Sequence, residues 1–132
     1  MAERDVLIVH NDRQVGDIYR DVLQAAGYNC TLARNGEEAL AEFRRSHQPL
    51  VITHLRLLNE FGCTELGIVL LKQLRREDPD VAVIVASAAV VKESEVLELD
   101  ASAFLQAPVK IDELLTAAER ALNERRQREE SQ

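Results

Sequence analysis

Three side chains in this sequence could do chemistry together if folding gathered them in one place. His10 and Asp12 follow the apolar run Val6-Leu7-Ile8-Val9, and His54 follows Leu50-Val51-Ile52 and a threonine. Two imidazoles and a carboxylate are a workable ligand set for Zn²⁺ or another transition metal. An imidazole is also a competent nucleophile, which would make His54 a candidate phosphohistidine, although no positioned cation or base accompanies it. Plainer readings compete with both. The three residues form no short local metal motif, and successive strand residues face opposite ways, so His10 can point away from the others. A neutral His54 can fill space while hydrogen-bonded to Asn11, Asp12 or backbone. The expectation is no resident metal or cofactor, with His10, Asp12 and His54 as the alternative metal- or small-ligand-sensing set. Ser87, at the end of another apolar run, is expected to bond a nearby backbone group.

The elements that must position these residues follow from hydrophobic period. Val6–Val9 is a continuous apolar run, as in a strand buried on both faces. Val15, Ile18, Tyr19, Val22 and Leu23 recur at helical spacing, and Gly27 stops that helix. Tyr28, Cys30 and Leu32 alternate with Asn29 and Thr31, which predicts a half-exposed edge strand. Asn35-Gly36 opens a helix through Ala39, Leu40 and Phe43, and Leu50-Val51-Ile52 is a third strand. A long loop leads to a helix through Ile68, Leu71 and Leu74. Asp78-Pro79-Asp80 is a turn before a central strand, Val81 to Val85. A short helix is expected at about Glu93 to Leu99, a fifth strand at Phe104-Leu105, and a last helix from about Ile111. Five strand–helix alternations predict an α/β fold. The flavodoxin-like, doubly wound order 2-1-3-4-5 suits five parallel strands and five helices. Residues 1–122 form the domain, and 123–132, without apolar residues, are expected to extend the last helix into solvent or to fray. Ligands of such folds sit at the carboxyl ends of the strands. Those ends carry His10, Asn11 and Asp12, then His54, then Ser87, then Ala107.

The segments VLIVHND, GYNCTLARNGEEAL, LVITHLRL, VIVASA and AFLQAPV followed by DELL occur in that order. Together they resemble a response-regulator receiver domain over about residues 4–122. The resemblance implies a defined chemistry. A pair of acids after the first strand holds Mg²⁺, a hard ion that wants oxygen ligands. An aspartate after the third strand attacks phosphorus as a carboxylate nucleophile. A hydroxyl after the fourth strand and a lysine after the fifth bind the phosphoryl oxygens. This sequence departs at nearly every position. His10-Asn11 stands for the acid pair, His54 for the nucleophile and Ala107 for the lysine; Ser87 keeps the hydroxyl and Pro108 is retained. Phe104 takes the aromatic switch position without a tyrosine hydroxyl. The losses are chemically coherent, and they imply a receiver that takes no phosphoryl group and is not an enzyme.

Two connections also depart from the receiver pattern. The stretch from His54 to Gly67 is several residues longer than usual and lacks the customary proline, and the stretch from Ser87 to Phe104 is slightly shorter. Ala86 to Val91 is apolar where a surface loop would be polar. Val90 and Val91, with Phe61 in the long loop, are the candidate interaction surface. The competing reading tucks both valines under the short helix.

Composition bounds the remainder. A net charge of −7 argues against a nucleic-acid surface, which needs clustered Lys and Arg. No apolar run approaches the roughly 20 residues of a membrane span. No secretory signal pattern opens the chain, and Cys30 and Cys63 lack metal-type spacing, so they are expected as reduced thiols. The expected function is a cytoplasmic, two-component-type signalling module that works by protein–protein contact. The resemblance implies a signalling protein, an output domain or a second copy as partner, through the face of the fourth helix, fifth strand and fifth helix.

Overall fold

Apolar residues on each central strand alternate between two faces, and that alternation builds two cores on one sheet. The computed structural model describes residues 4–54, 56–58, 64–87, 101–106 and 109–130. The main sheet contains β1 (Asp5–Val9), β2 (Asn29–Ala33), β3 (Leu50–His54), β6 (Ala82–Ser87) and β7 (Ala103–Gln106). Its order is β2-β1-β3-β6-β7 and every pairing is parallel. This is the expected 2-1-3-4-5 order.

Four helices lie among the described residues: α1 (Arg13–Ala25), α2 (Gly36–Ser46), α3 (Gly67–Glu77) and α4 (Ile111–Glu130). Five were expected; the short helix placed at residues 93–99 lies outside the described residues. On one face of the sheet Leu7, Val9, Val51, Val83 and Val85 pack with Phe43 of α2 and Leu70, Leu71 and Leu74 of α3. On the other, Val6, Ile8, Leu50, Ile52 and Ile84 pack with Tyr19 and Leu23 of α1 and Leu114, Ala118 and Leu122 of α4. Each strand residue thus serves the face that its parity assigns.

Local chemistry sets the helix ends. Asp12 caps α1, its Oδ1 accepting from the N–H of Gln14 at 3.0 Å and of Val15 at 3.3 Å. Asn35 caps α2 through the N–H of Glu38 at 2.9 Å. Gly27, at φ 96°, turns the chain after α1 in a conformation that costs glycine little. As expected, β2 is an edge strand with partly exposed residues.

The long connection after β3 is not an irregular loop. Among its described residues, β4 (Arg56–Leu58) and β5 (Thr64–Leu66) form an antiparallel hairpin, Arg56 opposite Leu66 and Leu58 opposite Thr64. Strands of three residues are too short to leave a period-2 signature, which is why periodicity reads this stretch as loop. At the far end α4 continues through Glu130. Its extension is not wholly solvated, because the Arg125 side chain is 12% exposed and lies 3.7 Å from Asp78, in the turn before β6.

Candidate functional site

β1 and β3 are hydrogen-bonded neighbours, with Val9 beside Thr53. The next residue on each chain is a histidine, so parallel pairing delivers His10 and His54 to the same place at the carboxyl end of the sheet. Their rings lie 4.6 Å apart between centroids, tilted by 51°. Tyr19, one and a half turns into α1, presents its ring to the other side of His10 at 6.2 Å, nearly perpendicular. Tyr19 was legible in the sequence only as a core position of a helix. Its place beside His10 depends on how α1 crosses the sheet, and no local pattern encodes that.

The backbone after β1 then folds back on His10. The N–H of Asp12 donates to His10 Nδ1 at 3.0 Å. The imidazole therefore accepts in the manner of an asparagine side chain in an Asx turn. A neutral ring that accepts at Nδ1 carries its proton on Nε2. Ligating a metal through Nε2 would move that proton to Nδ1, where it would face the Asp12 N–H, donor against donor. Ligation through Nδ1 would displace the backbone bond. Asp12 itself spends Oδ1 on the first turn of α1. The His10, Asp12 and His54 set expected as a metal alternative is thus not assembled as one. Among the described residues no group of three or more His, Cys, Asp or Glu side chains is arranged to hold a metal ion.

Burial and the neighbouring His54 push the His10 pKa from 6.5 down to about 4, outweighing the opposite pull of Asp12. The folded protein therefore binds this proton only near pH 4, whereas the unfolded chain binds it below about 6.5. The neutral ring's contribution to stability is complete above pH 6.5 and is lost as pH falls from 6.5 toward 4. We expect about 2–3 kcal/mol to disappear across that window, discounted for partial solvent screening. His10→Asn keeps an acceptor for the Asp12 N–H and removes the titration. Urea denaturation at pH 7 and pH 4 should show the smaller loss in the variant; equal losses would refute the assignment.

The other expected site positions divide into three groups. Asn11 is exposed in the β1–α1 connection. Phe104 is half-buried on β7 against the core shared by α2 and α3, and Ser87 ends β6 opposite Gln106. Ala107, Phe61, Val90 and Val91 lie outside the described residues, as does the side chain of Ser87.

A family profile for the response regulator receiver domain matches residues 6–119. The chain belongs to the response regulator receiver family. The receiver is 30% identical over 96% of its length to the nitrogen assimilation regulatory protein NtrX of Azorhizobium caulinodans, covering 28% of that protein. It is 31% identical over 89% of its length to the transcriptional regulatory protein ZraR of Salmonella typhimurium, covering 26% of it. The receiver thus spans about a quarter of the length of these curated relatives. Among solved structures it superposes on NtrX from Brucella abortus in complex with ATP with a TM-score of 0.88 and 26% identity, over 98% of this chain and 29% of that one. It superposes on a CheY-like receiver domain from Methanospirillum hungatei JF-1 with a TM-score of 0.85 and 24% identity, over 95% and 98% of the two chains. The fold is therefore that of two-component receivers. No helix among the described residues is long and apolar enough to cross a membrane.

Proposed function

We propose that this receiver takes no phosphoryl group and serves as a protein-binding module of a two-component-type pathway. One observation carries the reading: the imidazoles of His10 and His54 lie ring against ring, 4.6 Å apart, where the receiver resemblance requires an acid and the nucleophilic carboxylate. Mg²⁺ wants an octahedron of oxygens, and a pair of imidazole rings offers none. An incoming dianion would meet no lysine, since Ala107 stands at that position. Asp12, the acid nearest by sequence, is committed to capping α1. On this reading the module is not an enzyme.

Its partner is a signalling protein, an output domain or a second copy, met through the face of β7, α4 and the helix expected at residues 93–99. Phe61, Val90 and Val91, outside the described residues, are the apolar candidates for a partner contact. With a net charge of −7 this domain does not itself bind nucleic acid, and its place is the cytoplasm. A ¹H–¹⁵N fingerprint recorded with Mg²⁺ and beryllium fluoride, a phosphoryl analogue, tests the reading. The amide resonances of Asn11, Asp12, His54 and Ser87 are expected to stay where they are. Saturable shifts at those residues would sink the proposal.

A further inference from the structure

Leu122 is the last apolar residue of the chain, yet α4 continues from Asn123 through Glu130. That extension is spared the cost of nucleation, but polar residues propagate a helix only marginally in water. A chain end without tertiary contacts frays. Arg125 supplies such a contact. Its side chain is 12% exposed, and its Nη2 lies 3.7 Å from Oδ2 of Asp78, whose side chain is 23% exposed. Salt screens a partly buried pair of this kind less than it screens a solvated one. The neighbours Arg126 and Arg128 are exposed.

Asp78 meets Arg125 from a turn that is already fixed. The N–H of Asp78 donates to Leu74 O at 2.9 Å, and the N–H of Val81 donates to Asp78 O at 3.2 Å. The N–H of Asp80 donates to Asp78 Oδ1 at 3.0 Å, which sets the carboxylate's orientation and turns Oδ2 to the arginine. Arg75 of α3 donates from Nη1 to Pro79 O at 3.1 Å and to Val81 O. Next to Asp78, Glu77 pairs with Arg44 of α2 at 2.7 Å. An ion pair ordinarily loses side-chain entropy at both ends; here only the arginine has that entropy left to lose. The turn runs straight into β6, which lies between β3 and β7. The last turns of α4 are therefore tied to the amino end of an inner strand, opposite the end that carries His10 and His54.

We propose that the Arg125–Asp78 clasp makes residues 123–130 a rigid arm of the receiver, held in a set direction at the amino end of the sheet. Any contact made through the arm is then presented away from the pocket, and its direction follows β6. Amide hydrogen exchange of the intact chain, resolved by residue, tests this. Amides 126–130 are expected to be protected in the unaltered protein. Asp78→Asn keeps an acceptor for the Asp80 N–H and removes the charge. Arg125→Met keeps an apolar stem and removes the guanidinium. Each should lower protection at 126–130 by about fivefold, the upper range for a pair this close to the surface. The double variant should lose about the same fivefold rather than the product of the two, because both substitutions break one contact. Arg125→Lys should recover part of the loss, and Arg126→Met, at an exposed position, should change nothing. Unchanged protection at Leu114–Leu122 in every variant excludes unfolding as the cause. In 1 M NaCl the unaltered protein should show a smaller loss at the same amides, with no substitution involved. Amides 126–130 that exchange at the rate of an unfolded chain overturn the inference. So do an Asp78→Asn variant with undiminished protection, multiplied losses in the double variant, or an Arg126→Met variant that matches Arg125→Met.

Discussion

Incubation with Mg²⁺ and acetyl phosphate is expected to leave the mass of this receiver unchanged, while a variant carrying His10→Asp, Asn11→Asp, His54→Asp and Ala107→Lys gains one phosphoryl group. In the restored variant a carboxylate oxygen of residue 54 forms the bond to phosphorus as the bond to the departing acetate breaks. The two acids at 10 and 11 hold the ion, and the lysine at 107 faces the phosphoryl oxygens. Each such preorganised group is worth about 10²–10³ in rate, so the combined difference is effectively all or none. His54→Asp alone should remain unmodified, because one carboxylate beside His10 does not build an oxygen cage for Mg²⁺. The exchange at position 10 suits the local geometry, since an aspartate can take over the bond from the Asp12 N–H now made to His10 Nδ1. Intact-mass measurement and release of the adduct by hydroxylamine are the readouts. A hydroxylamine-labile adduct on the unaltered protein would refute the proposal outright.

Phe43→Ala should lower stability by about 3–5 kcal/mol. That is a third or more of the total for many domains of this size. Phe43 is fully buried and joins α2 to Leu7, Val9 and Val51 of the sheet and to Leu70, Leu71 and Leu74 of α3. Its ring also meets His47 edge-on, with 5.5 Å between centroids. Truncation leaves a cavity between three elements that cannot all close in on it. Ile18→Ala is the matched control: Ile18 is 59% exposed, and its loss should cost within about 0.5 kcal/mol. Urea denaturation with unchanged slopes makes the comparison. A cost below about 1 kcal/mol for Phe43→Ala would mean that the core on this face is not packed as described.

Much of this was legible without coordinates. The runs Val6–Val9 and Val81–Val85 read as doubly buried strands because every residue in them is apolar, and each is buried. Asn35 and Gly27 announced a helix start and a helix stop through side-chain and backbone chemistry that operates within a few residues. The hairpin of Arg56–Leu58 and Thr64–Leu66 was not legible, because three-residue strands leave too little pattern. Nor was the anchoring of Arg125 to Asp78. A charged residue in a stretch without apolar neighbours carries no sign of a contact 47 positions away in the chain.

The sequence by itself determined the order of the elements, the parity that sends Leu7 and Ile8 to opposite cores, and the chemical identities at the strand ends. These are local properties, set by side-chain period and by which atoms each residue owns. Only the tertiary structure decided what those residues do to one another. His10 and His54 are 44 positions apart, and it takes the parallel pairing of β1 with β3 to bring their rings within 4.6 Å. The same fold turns Asp12, available on paper as a metal ligand, into the cap of α1. A carboxylate oxygen bonded to two backbone N–H groups is engaged with the helix that starts beside it.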